Sequence, residues 1–189
     1  LPASAQLWFF PDYAVPSMEG APATFIVGTY GRGLNAESGE LDAFGGAVGR
    51  TGATVSFMGG LGLINGAVDD EITVGGSVGV DVVKGESMNL GLQGGIGWYS
   101  PGDFTALRFP LGVAVKGSVE SPEARIMPWA MPRIDIRRLS LNGSSETETD
   151  FGASAGVSFT FPGGFGVHTA LDVLVLDGGE PWLFGIGGH

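Results

Sequence analysis

Apolar and polar residues alternate along most of the chain with a period of two, which is the pattern of β-strands. In the clearest stretch, Leu107 to Val119, leucine, phenylalanine and valine occupy one face, while arginine, lysine and small residues occupy the other. Four further segments repeat this alternation: Ile72 to Val82, Met88 to Trp98, Phe151 to Phe161 and Phe165 to Val175. Weaker alternation marks five more: Thr24 to Arg32, Leu41 to Gly49, Val55 to Leu63, Arg125 to Leu141 and Trp182 to Gly188. The pattern predicts an all-β domain of about ten strands, or of eight if the weak early segments merge.

The connections between these segments are short and long in turn. Tight turns fall near Arg50-Thr51-Gly52, Lys84-Gly85-Glu86, Ser121-Pro122 and Pro162-Gly163-Gly164. Longer connections fall near Asn35 to Gly39, Asn65 to Glu71, Ser100 to Asp103, Asn142 to Asp150 and Asp177 to Pro181. Membrane barrels show the same asymmetry, with short turns on one side and longer loops on the other. We therefore expect a closed antiparallel up-and-down β-barrel with both chain ends on the short-turn side.

The composition of the polar strand face indicates whether the large apolar residues lie on the outside of the barrel or in its lumen. It consists mostly of Gly, Ser, Ala and Thr, and glycine alone accounts for 35 of the 189 residues. A soluble barrel needs charged residues on its outside, yet only 15% of the residues are charged, against about 25% in ordinary soluble domains. No stretch approaches the roughly 20 apolar residues of a membrane-spanning helix. The sequence therefore predicts a transmembrane β-barrel whose large apolar residues face lipid and whose small residues line the lumen.

Several charged residues fall at inward-facing positions of the predicted strands. A charge confined in a lumen without a partner costs several kcal/mol, so these residues are expected to pair. The sequence predicts a cross-barrel ion-pair network in the lumen, made of Arg108, Lys116, Arg125, Arg133, Arg137, Asp81, Asp135 and Asp172.

The remaining composition argues against most kinds of chemistry. The chain has no cysteine, two histidines and a net charge of −11, so we expect no metal site, no cofactor and no nucleic-acid partner. His168 and Asp172 share one strand face, but they lie roughly 13 Å apart along a strand. They are therefore too distant for direct contact, and we expect no catalytic residues.

The first 21 residues do not read as part of the barrel, which we place at residues 22–189. Ala3 and Ala5 resemble the small-residue pattern that precedes a secretory cleavage site. The run Leu7-Trp8-Phe9-Phe10 is apolar, and prolines interrupt the stretch that follows it. The segment is therefore interpreted as a signal remnant, a lumen plug, or an arm that docks on other copies of the protein through these four residues.

The glycine-rich alternating strands, such as Met88 to Trp98 and Phe151 to Phe161, resemble the small outer-membrane β-barrel superfamily of the OmpA-like or OmpX-like type. The resemblance covers residues 22–189 and implies a non-enzymatic protein of the bacterial outer membrane with a structural or surface-interaction role and lipid as its partner. Members usually end on an aromatic residue, whereas this chain ends at His189. The alternatives are a self-assembling barrel at the cell surface or outside the cell, a narrow pore, and a barrel enzyme.

Overall fold

The computed structural model describes residues 23–39, 41–65, 70–176 and 179–189. The proposed N-terminal segment lies outside these residues, so the domain boundary near residue 22 stays a prediction. Within the described part of the chain, no helix is long and apolar enough to cross a membrane.

The described residues form eleven β-strands and one short 3₁₀ turn at Ala36–Ser38. The first six strands are β1 (Ala23–Gly33), β2 (Asp42–Thr51), β3 (Val55–Asn65), β4 (Asp70–Lys84), β5 (Met88–Tyr99) and β6 (Phe104–Gly117). The others are β7 (Val119–Glu120), β8 (Arg125–Leu141), β9 (Ser144–Thr160), β10 (Gly166–Val175) and β11 (Trp182–Gly188).

The strands close into a single antiparallel barrel. Strands that follow each other in sequence pair with each other, except β6 and β7; β6 pairs with β8, and β1 pairs with β11. The two-residue β7 follows β6 after Ser118 and pairs with the start of β8, so it prolongs the wall that β6 begins. Since β6 and β7 occupy one position in the wall, the barrel has ten strand positions, and the prediction of ten strands rather than eight is confirmed. Closure leaves no open sheet edge along the body of the barrel, which is the condition for placing strands in lipid.

Large apolar side chains face outward, as the alternation predicts. Ile26 is 74% exposed, Phe151 is 68% exposed and Leu61 is 63% exposed. Charged residues on the other strand faces are buried instead, and Asp135 has no exposed surface. This distribution is the reverse of that in a soluble barrel.

Glycine makes room for the bulky side chains in the narrow lumen. A Cβ added at Gly156 would lie 2.8 Å from Trp129 Cζ2, and one at Gly112 would lie 2.8 Å from Met131 Cγ. The guanidinium of Arg133 lies against another glycine, since a Cβ added at Gly152 would stand 3.0 Å from its Cζ. Trp129, Met131 and Arg133 therefore each lie against a glycine of an adjacent strand, which gives part of the high glycine content a steric cause.

The predicted long connection from Asn142 to Asp150 is wrong. Only Asn142 and Gly143 form the turn, with φ values of 50° and 83°, and β9 begins at Ser144. Asn-Gly is the preferred pair for a two-residue hairpin, because both positions need positive φ. The stretch of β9 up to Asp150 pairs with β8 but not with β10, whose pairing stops at Phe151.

Candidate functional site

The centre of the lumen holds a cluster of two arginines and two aspartates. Arg133 on β8 donates two hydrogen bonds to Asp172 on β10, Nη1 to Oδ2 at 2.9 Å and Nη2 to Oδ1 at 2.7 Å. Its Nε donates a third, to Asp135 Oδ2 at 2.7 Å. Two parallel bonds between a guanidinium and a carboxylate fix both distance and orientation.

Asp135 links this pair to a second arginine. Arg108 on β6 donates from Nη2 to Asp135 Oδ2 at 2.9 Å, and its Nε donates to Oδ1. Asp135 and Arg133 alternate along β8, so their side chains lie on the same face of that strand. All members of this central cluster are 5% exposed or less, and their four charges cancel. Burial on this scale is tolerated because every charge has a close partner of opposite sign.

A separate ion pair joins β6 to β4. Lys116 Nζ lies 2.5 Å from Asp81 Oδ1. The strand between them, β5, carries Gly91 at the point of crossing, where an added Cβ would lie 3.1 Å from Asp81 Oδ1. The absence of a side chain at Gly91 therefore lets the pair form across an intervening strand.

Arg137 lies two residues after Asp135 on the same face of β8, opposite Arg108 on β6, and it binds acids of the β8–β9 hairpin. It donates to Asp150 Oδ2 from Nε at 2.9 Å and from Nη2 at 2.7 Å, and Nη2 also donates to Glu148 Oε2 at 2.6 Å. Neither acid was predicted as part of the network, because both fell in the stretch assigned to a loop. The Asn142-Gly143 pair was the signal that could have placed them on a strand, because Asn-Gly favours a two-residue hairpin.

A cavity of about 560 Å³ occupies the lumen between the central cluster and the short-turn end. Consecutive inward-facing residues of β8 form one wall: Arg125, Met127, Trp129, Met131 and Arg133. The opposite wall, from β2 to β5, is built mainly of small residues, among them Ala47, Gly60, Gly75, Ser77 and Gly95.

This architecture matches solved outer-membrane proteins. LpxR from Salmonella typhimurium is similar with a TM-score of 0.51 at 9% sequence identity, over 93% of this chain and 86% of that one. The chain has the fold of the small outer-membrane β-barrels. The N-terminal barrel domain of Pseudomonas aeruginosa OprF gives a TM-score of 0.38 at 15% identity, over 87% of this chain and 93% of that one. The β domain of the Bordetella autotransporter BrkA gives 0.40 at 14%, over 89% and 98%. No protein-family model matches the sequence, and no curated protein is significantly similar to it.

The outer-membrane-type barrel thus distributes the eight predicted network residues over four places. Arg108, Arg133, Asp135 and Asp172 come together in the central cluster, Lys116 and Asp81 form their own pair, and Arg137 binds acids of the β8–β9 hairpin. Arg125 lies at the short-turn end, where its Nε donates to Ser118 Oγ at 3.0 Å and lies 3.7 Å from Glu120 Oε1.

Two histidine rings lie together near the short-turn end of the same barrel. The rings of His168 and His189 stack with centroids 5.7 Å apart, and His189 Nε2 lies 3.1 Å from Thr160 Oγ1. Burial lowers the pKa of His189 below its ordinary value, because desolvation disfavours the charged imidazolium. The carboxylate of Asp172 faces Arg133 rather than His168. Among the residues that the structure describes, no group of three histidines or carboxylates has metal-binding geometry.

Proposed function

We propose that this chain is an integral barrel of the bacterial outer membrane with a structural or surface-interaction role and without catalysis. The observation that carries the proposal is the apolar outer surface, which runs around the barrel and includes Val48, Leu92, Leu111 and Leu171, all exposed by 46% or more. Soluble monomers rarely expose contiguous apolar patches beyond a few hundred Å². Lipid is the partner that covers such a surface on all sides of a barrel.

The β8–β9 hairpin supports the surface-interaction part of the proposal. From Ser144 to Asp150 it continues past the end of β10, and most of its side chains in this stretch are exposed serine, threonine and glutamate. The hairpin projects from the end with the longer connections, which faces outward in outer-membrane barrels. It therefore offers a rigid polar element outside the membrane plane.

The occupied carboxylates support the absence of catalysis. A general base needs a lone pair that can reach the substrate. Asp135 accepts from two arginines, Asp172 accepts from one in bidentate fashion, and Asp81 pairs with a lysine. The same central cluster joins β6, β8 and β10 across the lumen, which leaves little room for a continuous pore.

Membrane extraction tests the proposal directly. We expect the full-length protein to sediment with outer membranes and to require detergent for extraction. Its unheated form should migrate faster in a denaturing gel than the boiled form, because a closed barrel resists unfolding by detergent alone. A monomer that stays soluble without detergent and shows no heat-modifiable mobility would contradict the membrane role.

Association between copies through Leu7, Trp8, Phe9 and Phe10 is a separate proposal, since these residues lie outside the described part of the chain. Replacing all four with serine should shift the detergent-solubilised protein towards monomer in sedimentation velocity, because it removes the apolar docking surface. Replacement of Ala3, Ala5 and Gln6 with serine is the control. Equal oligomer fractions in the two variants would rule out the docking arm.

A further inference from the structure

The lumen cavity has two walls of opposite character. The wall from β8 presents sulfur and aromatic side chains, Met127, Trp129 and Met131, and the facing wall is mostly bare backbone with Ala47 and glycines. Both walls are mainly apolar, and the space between them has a volume of about 560 Å³. Small-molecule sites in proteins have volumes of about 300–1,000 Å³ and are lined in this way, with a few polar groups that fix orientation.

The shape of this cavity favours a linear ligand. It is lined by every inward-facing residue of β8 from Arg125 to Arg133, a stretch of about 26 Å at 3.3 Å per residue. A cavity of this length that is apolar along both walls accommodates one extended hydrocarbon chain.

The two ends of the cavity differ in charge. At the inner end, Arg133 is bound by Asp135 and Asp172, so that end carries no net charge. At the short-turn end, the guanidinium of Arg125 lies 3.7 Å from a Glu120 carboxylate that is 73% exposed. An exposed pair of this kind contributes about 0–1 kcal/mol, so another carboxylate can compete for Arg125.

We propose that the lumen binds a straight-chain carboxylic acid, with its carboxylate at Arg125 and its hydrocarbon chain between β8 and the glycine wall. Arg125 forms the charge-assisted contact with the head group. Trp129 and Met131 contact the chain along its length. The site is independent of the role proposed above, because it lies inside the barrel whatever covers the outside.

Quenching of Trp129 fluorescence tests the site in the full chain, reconstituted in lipid nanodiscs. Trp8→Phe, Trp98→Phe and Trp182→Phe leave Trp129 as the single tryptophan. A fatty acid brominated at mid-chain should reduce its emission by at least half, since bromine quenches on contact. A phospholipid brominated at the same carbon should not, because Trp129 is 8% exposed and faces the lumen.

A variant that keeps only Trp98 is the outside control, because Trp98 is 41% exposed on the outer face. It should be quenched by the brominated phospholipid, which reports on lipid contact separately from the lumen site. Failure of this control alone would contradict the membrane role and leave the lumen site standing.

Two substitutions locate the fatty acid. Ala47→Phe fills the cavity and should lower the apparent affinity for the brominated fatty acid, measured by quenching of Trp129, at least tenfold. Val48→Phe changes the outward-facing neighbour and should leave this affinity unchanged. Ser77→Leu replaces Ala47→Phe if that variant lacks the heat-modifiable band of a folded barrel. Arg125→Gln should weaken the acid about tenfold but leave the corresponding brominated alcohol unaffected. Absence of fatty-acid quenching, or equal quenching in the filled and matched variants, would overturn the proposal.

Discussion

Asp135→Ala is expected to lower the free energy of unfolding by about 3–5 kcal/mol, because it removes one member of a buried ion cluster and leaves its partners charged. Asp135 is fully buried and accepts hydrogen bonds from Arg108 and Arg133. Arg133 keeps its bidentate bond to Asp172, whereas Arg108 loses both hydrogen bonds that it donates to Asp135. Urea unfolding in lipid vesicles, followed by the fraction of protein in the fast-migrating unheated band, measures this loss.

The loss of stability should come from the buried positive charge of Arg108, which is no longer balanced by Asp135, and not from the missing carboxylate itself. Arg108→Met combined with Asp135→Ala removes both signs and leaves Arg133 and Asp172 as a neutral pair. Replacing a whole buried pair with apolar residues is often nearly neutral, so the double variant should recover most of the stability. Asp103→Ala, in an exposed connection, is the control for loss of a carboxylate and should change little. A double variant no more stable than Asp135→Ala would show that the cluster is not held by charge pairing.

The strand count follows from the alternation of apolar and polar residues, and the facing of the barrel follows from the small size of the residues on the polar face. Arg133 and Asp135 are two residues apart, so they share a face in any strand. The small size of the residues around them assigns that face to the lumen. Which acid meets which arginine depends on register and on closure of the barrel. Asp172 reaches Arg133 from β10, and Asp81 reaches Lys116 across β5. Alternation within a single strand cannot predict either of these contacts between strands.

The hairpin and the cavity were missed for two different physical reasons. From Ser144 to Asp150 both strand faces are polar, so no apolar stripe marks the strand and only the pairing with β8 makes it one. The cavity reflects which glycines face a bulky neighbour. Gly156 lies against Trp129 and Gly112 lies against Met131, whereas Gly60 and Gly75 line the cavity. The one-letter sequence gives all these glycines the same appearance.

Gly156→Ala is expected to destabilise the barrel by about 2–3 kcal/mol, the upper part of the range for overpacking a filled interior. A Cβ at this position would overlap the backbone oxygen of Thr169 on β10, which cannot move without breaking the β9–β10 ladder. It would also lie 2.8 Å from Trp129 Cζ2 and push the indole towards the cavity. The loss should appear in urea unfolding in vesicles and as a red-shifted emission of a single-Trp129 protein.

Gly28→Ala is the matched control, because an added Cβ there meets nothing within 4 Å. Alanine lowers the conformational entropy of the unfolded chain, and this stabilises the folded protein by about 0.4–1 kcal/mol where the native backbone conformation accepts alanine. Gly28→Ala should therefore be as stable as the parent protein or slightly more stable. The contrast between the two separates a glycine required by its neighbours from one that is merely tolerated. Equal stability of Gly156→Ala and Gly28→Ala would mean that the lumen is packed loosely enough to absorb a methyl group, and the steric account of the glycine-rich face would then be wrong.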